Sequence, residues 1–89
     1  MDLIGFFSAF LAEKLEKDVS TSRGLLRIAI KDQFGSMPSN ISFDDLFHVF
    51  NKALRNRLMK LNIMNIDKII HEMLDILTKR QALFTMANI

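Results

Sequence analysis

The stretch Ser42–Leu61, SFDDLFHVFNKALRNRLMKL, decides the fold, because it carries the clearest helical pattern in the chain. The Ser42 hydroxyl can accept a hydrogen bond from the backbone of Asp45, and the Asp45 carboxylate can accept one from the backbone of Ser42, which is a capping-box pattern. Apolar residues then recur at spacings of three and four, so they share one face of a helix. They are Phe43, Leu46, Phe47, Phe50, Ala53, Leu54, Leu58 and Leu61. The stretch therefore predicts one long amphipathic helix.

Similar spacings predict two helices before this one. The first is expected near residues 2–18 and the second near residues 23–34. A break at Val19–Ser22 separates them and offers several capping side chains. Gly35 stands where a left-handed residue would end the second helix.

A fourth helix is predicted near residues 66–81, with Asn65 as its cap and an apolar stripe along one side. Together with the third helix at residues 43–61, the pattern predicts an all-α fold. We expect a four-helix antiparallel bundle that spans residues 1–89 as a single domain without a separate linker. The apolar tail at residues 82–89 is expected to continue as helix, to form a short fifth segment, or to pack down, on its own bundle or on a neighbouring chain.

The composition favours a small intracellular protein that associates with itself. The 89 residues include no cysteine, which excludes disulfides and thiolate zinc sites. Apolar residues make up 49% of the chain, a load that so small a core is not expected to bury alone. The longest apolar run, Leu3–Ala12, is far shorter than the ~20 residues of a membrane span, and the acidic Asp2 is unlike the start of a signal peptide. We expect a cytoplasmic protein with no membrane span.

Catalytic patterns are absent from the sequence. His48 and His71 lie far from the four-residue spacing that puts two metal ligands on one helical turn. The chain has no glycine-rich phosphate loop and no nucleophile elbow. A buried pair of acids assembled from different helices is the one arrangement that the sequence leaves open. We predict a non-enzymatic protein without cofactor or metal.

The first functional prediction is a self-associating interaction module, with a dimer favoured and another protein as an alternative partner. Arg57 falls inside the apolar stripe of the third helix. It is expected either to reach solvent or a carboxylate, or to anchor a second chain. The candidate interface residues are Phe6, Phe7, Phe10, Arg57, Leu83 and Phe84.

The alternative prediction is a nucleic-acid-associated protein. The formal net charge is only +2, yet no acid lies between Leu46 and Ile66, a stretch with four basic residues. A basic stripe on the second helix would extend this surface if the second and third helices lie side by side, and phosphates would bind it without sequence preference. Such a stripe is also typical of an ordinary solvated face. The candidate contacts are Arg23, Arg27, Lys31, Lys52, Arg55 and Lys60.

Overall fold

Four helices make up most of the described chain. The computed structural model describes the backbone of residues 3–87 and the side chains of residues 3–80. The helices are α1 (Leu3–Leu15), α2 (Val19–Phe34), α3 (residues 43–60) and α4 (Ile66–Ala87). No strand occurs in this part of the chain, so the predicted all-α, four-helix fold is confirmed. Within residues 3–87, no helix combines the length and the apolar character that crossing a bilayer requires.

The connection between α1 and α2 lies earlier than the sequence pattern predicts. α1 ends at Leu15 instead of near residue 18, because Glu16 enters the left-handed region with a φ of 56°. Asp18 then caps α2, its carboxylate accepting a hydrogen bond from the Thr21 N–H over 2.7 Å. Hydrogen bonds from Thr21 hold the pKa of Asp18 below its ordinary value. The predicted break at residues 19–22 is therefore wrong, and these residues form the first turn of α2.

The end of α2 and the start of α3 lie where the sequence pattern predicts them. Gly35 is left-handed with a φ of 80°, and its N–H donates to the Lys31 carbonyl over 2.7 Å. The loop that follows leads to the predicted capping box. The Asp45 N–H donates to the Ser42 hydroxyl over 3.0 Å, and the Ser42 N–H donates to the Asp45 carboxylate over 3.1 Å. Both of these helix boundaries could be predicted from the sequence, because each depends on hydrogen bonds between residues close in sequence.

The middle of α3 is a π-helix, which the sequence pattern does not predict. The helix is α-helical at Phe43–His48, π-helical at Val49–Leu54 and α-helical again at Arg55–Lys60. A π turn closes its hydrogen bonds over one more residue than an α turn. The residues after it are therefore rotated relative to their positions in an unbroken α-helix.

This rotation decides which residues of α3 reach the core. At 3.6 residues per turn, Arg57 would lie roughly 20° around the helix from Leu46, and Leu58 roughly 120° from it. In the structure Leu58 is fully buried with Leu46, whereas Arg57 lies half-buried at the edge of the core. The predicted stripe is therefore wrong at Arg57. It is also wrong at Phe47 and Leu61, which are 39% and 51% exposed.

One hydrophobic core joins the helices. Phe7 of α1 and Phe50 of α3 meet edge to face, with ring centroids 4.8 Å apart. α2 packs against both α1 and the π-helical part of α3, and α3 packs against α4. The largest fully buried side chains are Phe7, Phe50, Leu11, Leu26, Ile30, Leu46, Leu54, Leu58, Ile70, Met73, Leu77 and Val49.

α4 runs antiparallel to α1 and is longer than predicted. The Lys14 ammonium lies 3.1 Å from the Glu72 carboxylate. The Arg80 guanidinium lies 3.8 Å from the centroid of the Phe6 ring. Phe6 comes eight residues before Lys14 in α1, and Arg80 comes eight residues after Glu72 in α4, so the two helices run in opposite directions. The helix then continues to Ala87, so the tail is not a separate fifth segment.

Candidate functional site

A polar groove lies between the end of α2 and the second half of α3. Its volume is about 290 Å³. Three of its side chains are cations and one is an anion, so the groove carries a formal charge of +2. The residues that line the groove are Asp32, Gln33, Lys52, Ala53, Asn56, Arg57 and Lys60.

Helical spacing explains why the residues of α3 meet in the groove. Lys52, Asn56 and Lys60 follow one another at intervals of four, so they lie along one side of the helix. Ala53 is 7% exposed and small, so it leaves room between the two helices. Asp32 stands on the facing side, in the last turn of α2.

A bidentate ion pair joins the two walls of the groove. Arg57 donates from Nε to Asp32 Oδ2 over 2.6 Å and from Nη2 to Asp32 Oδ1 over 2.9 Å. The hydrogen bonds from Arg57 hold the pKa of Asp32 below its ordinary value, and the positive charge of Lys60 adds to this effect. The same hydrogen bonds raise the pKa of Arg57. This ion pair gives the Arg57 side chain a partner within its own chain. It therefore favours the ion-pair interpretation of Arg57 over its role as an anchor for a second chain.

The two lysines of the groove have no such partner. Within residues 3–80, neither Lys52 nor Lys60 has a carboxylate oxygen within 4.0 Å of its ammonium nitrogen. Both side chains are exposed at the mouth of the groove. An anion entering the groove would therefore meet two cations that are not neutralised by the protein.

The charge of the whole chain is distributed unevenly. Residues 19–34 and 46–61 contain seven basic residues and one acidic residue, a formal charge of +6. The remaining residues contain five basic and nine acidic residues, a formal charge of −4. α2 packs directly on α3, and over their full ranges this pair of neighbouring helices holds seven basic residues and three acids, because Asp44 and Asp45 lie in the first turn of α3. The modest net charge of the chain conceals this asymmetry.

The basic candidates form three separate groups on this pair of helices. Lys52 and Lys60 line the groove. Arg55 instead donates to the Asp67 carboxylate of α4, on another side of α3. The stripe on α2 is exposed, but Arg27 lies roughly 140° around that helix from Asp32. The second and third helices do lie side by side, yet the stripe does not line the groove. Its members are Arg23, Arg27 and Lys31.

The described interface candidates on α1 have partners within the chain. Phe7 is fully buried in the core, so it is not available at the surface of this chain. The Phe6 ring lies beneath the Arg80 guanidinium, and the Lys14 ammonium lies 5.4 Å from the centroid of the Phe10 ring. Leu83 and Phe84 belong to the helical backbone of α4, but their side chains lie outside the described residues.

A different set of apolar side chains is exposed at the junction of α3 and α4. Met59, Leu61 and Met64 are 58%, 51% and 81% exposed. They fall within six consecutive residues at this junction, and the three together are called the apolar corner. Methionine side chains are flexible and adapt to irregular partner surfaces.

Sequence reasoning missed half of the groove. Asp32 is the only acid in residues 19–34, which is the signal that could have identified it as the partner of Arg57. Asn56 lies midway between Lys52 and Lys60 at helical spacing and could also have been found. Nothing in the sequence marks Gln33, because its place in the groove depends on how α2 crosses α3.

Comparison of the chain with known protein families, with curated proteins and with solved structures finds no match. Among the described residues, no three His, Asp or Glu side chains lie close enough together to hold a metal ion. His48 lies at the surface, 3.6 Å from the Asp44 carboxylate. The features of the described residues that bear on function are therefore the groove, the charge of α2 and α3, and the apolar corner.

Proposed function

We propose that this protein is a non-enzymatic binding module for nucleic acid, and that the phosphates bind α2 and α3. The observation that carries the proposal is the charge asymmetry, because this pair of packed helices holds seven basic residues and three acids, two of which, Asp44 and Asp45, lie in the first turn of α3. Phosphate contacts depend on the local density of cations and on the counterions they release, and they need no particular base sequence. A cytoplasmic location stays a prediction from the sequence.

Five cations on these helices are available for phosphates. Within residues 3–80, none of them is engaged in an ion pair, whereas Arg55 and Arg57 already are. The five are Arg23, Arg27, Lys31, Lys52 and Lys60. Binding through a few such contacts would be weak and strongly dependent on salt, with little preference between sequences.

The proposal is tested by measuring binding to a fluorescent DNA duplex at several salt concentrations. The variant removes two charges of the stripe, Arg23→Gln with Arg27→Gln. The control removes two exposed charges elsewhere, Lys17→Gln with Lys68→Gln. We expect the logarithm of affinity to fall linearly with the logarithm of salt concentration. The stripe variant should reduce that slope by about 0.9 per lost phosphate contact.

The control should leave the slope close to that of the unmodified protein. An equal effect of the two double variants would mean that binding follows net charge alone, and the proposed surface would be wrong. Absence of binding at low salt would exclude the nucleic-acid function.

The second candidate function is self-association through the apolar corner. The observation that favours it is the exposure of Met59, Leu61 and Met64 within one short stretch. Light scattering on a sizing column at low and high salt measures the mass directly. We expect a dimer at both salt concentrations, because apolar contacts are not screened by ions, and a monomer for Leu61→Glu with Met64→Glu. A monomeric unmodified protein would exclude this function.

A further inference from the structure

The groove between α2 and α3 has the properties of a specific site for a small phosphorylated ligand. Its volume of about 290 Å³ lies at the lower end of the range for small-molecule pockets, roughly 300–1,000 Å³. Cations and amides make up most of its lining, and among the described residues that line it only Ala53 is apolar. A site of this size and polarity suits a compact anion better than a large apolar molecule.

Arg57 is already positioned to bind an oxyanion. Its guanidinium makes two parallel hydrogen bonds to Asp32, with Nε and Nη2 as donors. The same two donors can bind two oxygens of a phosphate group, because the oxygens of a carboxylate and of a phosphate are similarly spaced. The Asp32 carboxylate therefore occupies, in the free protein, donors that a phosphate could use.

Lys52 and Lys60 supply the charge that selects phosphate over Asp32. Both line the groove, and neither is neutralised within residues 3–80. A phosphomonoester carries close to two negative charges at neutral pH, whereas a carboxylate or a phosphodiester carries one. Two free cations beside one bidentate arginine therefore favour the phosphomonoester.

The π-helical segment of α3 brings these groups together. It ends at Leu54, just before the turn that carries Asn56 and Arg57, and it contains Lys52 and Ala53. In an unbroken α-helix Arg57 would point into the core, so the π segment is what turns it toward Asp32. Single π turns within α-helices are frequent at functional sites.

We propose that the groove binds a phosphomonoester, with Arg57, Lys52 and Lys60 contacting the phosphate and Asp32 competing with it for Arg57. The ligand is either a free phosphorylated small molecule or the terminal phosphate of a nucleic-acid strand. The stripe on α2 lies outside this groove, whereas Lys52 and Lys60 belong to both proposals. Duplex binding by the stripe variant and the phosphate titration of the groove therefore distinguish the failure of one proposal from the failure of the other.

The test follows the backbone amide spectrum of isotope-labelled protein during titration at constant ionic strength. The probes are inorganic phosphate, adenosine monophosphate, and adenosine as the uncharged control. We expect saturable shifts that begin at groove residues with both phosphates and no saturable shift with adenosine. A short oligothymidylate with and without a terminal phosphate tests the second source, and groove shifts that require the terminal phosphate would identify a strand end.

Variants connect the shifts to the proposed contacts. Lys60→Met should weaken phosphate binding about tenfold, the effect of losing one charge-assisted hydrogen bond, and Lys52→Met should act similarly. The matched control Lys17→Met removes the same charge just before the start of α2, roughly 20 Å along the helix from Asp32, and should leave the affinity within about twofold, because surface charges more than a Debye length away are largely screened. Asp32→Asn should bind phosphate several-fold more tightly, because the competing carboxylate charge is removed.

Three results would overturn the inference. They are the absence of saturable shifts at groove residues in the unmodified protein, equal weakening by Lys60→Met and Lys17→Met, or weaker binding by Asp32→Asn. Loss of binding to a DNA duplex in the stripe variant, with phosphate binding intact, would separate this site from the nucleic-acid surface.

Discussion

The rotation imposed by the π-helical segment can be tested by truncating two leucines of α3. Leu58 is fully buried and Leu61 is 51% exposed. In an unbroken α-helix their order would be reversed, because Leu61 would lie roughly 60° around the helix from Leu46 and Leu58 roughly 120° from it. The pair therefore distinguishes the two geometries with the same chemical change, Leu→Ala.

The burial of the two leucines sets the expected loss of stability in each variant. Truncating a fully buried leucine costs about 2–5 kcal/mol, through lost transfer energy and the cavity left behind. Truncating a half-exposed leucine outside the core should change stability by no more than about 0.5 kcal/mol. A loss of ~3 kcal/mol corresponds to a decrease in Tm of about 12–24 °C for a domain of this size. Leu58→Ala should therefore be far less stable than Leu61→Ala.

Urea denaturation followed by circular dichroism measures both variants under the same conditions. The dependence of the unfolding free energy on urea should stay constant across the series, so that a shift in midpoint reports stability alone. If Leu61→Ala loses as much stability as Leu58→Ala, α3 is not rotated as described. The account of how Arg57 reaches Asp32 would then be wrong as well.

Four further substitutions test single residues of the structure. Gly24→Ala should raise the unfolding free energy by about 0.5–1 kcal/mol, because the added methyl meets no atom within 4 Å and the backbone is helical. Gly35→Ala should lower the unfolding free energy by about 1–2 kcal/mol, because the φ of Gly35 is +80°, which is strained for alanine. Equal effects of the two glycine substitutions in urea denaturation would contradict the helical conformation of Gly24 and the left-handed conformation of Gly35. Ser22→Ala should stabilise the protein by about 1 kcal/mol, because the buried Ser22 hydroxyl has no hydrogen-bond partner among residues 3–80. A lower urea midpoint would show that the hydroxyl is hydrogen-bonded. The pKa of Asp32 is lowered by Arg57, so the stability from this pair is present at neutral pH and is lost as pH falls through the folded-state pKa. Arg57→Met should return the Asp32 pKa toward its ordinary value in an NMR titration, and an unchanged pKa would disprove the coupling.

Local signals in the sequence located several features of the fold correctly. The capping box at Ser42 and Asp45 and the left-handed Gly35 each involve residues within four positions of one another. The start of α2 was missed, although Asp18 is an ordinary capping residue, because the run of Ser and Thr after it offered equally good caps. Local hydrogen bonds can be predicted, but competing local caps cannot always be ranked.

The candidate site was predicted only in part. Lys52 and Lys60 were identified from the run of basic residues in α3, and both line the groove. Arg57 was recognised as unusual, but its partner Asp32 lies 25 residues earlier in the chain. Periodicity reports which side of a helix a residue occupies, and it contains no information about which residue of another helix lies opposite.

The sequence by itself determined the all-α class, the number of helices and most of the core, because amphipathic spacing and caps are local properties. Only the tertiary structure decided the rotation of α3. A π turn has no distinctive residue pattern, and its poorer backbone geometry is offset by contacts with other helices. Those contacts bury Leu58 and pair Arg57 with Asp32, so the groove exists only once α2 and α3 have packed together.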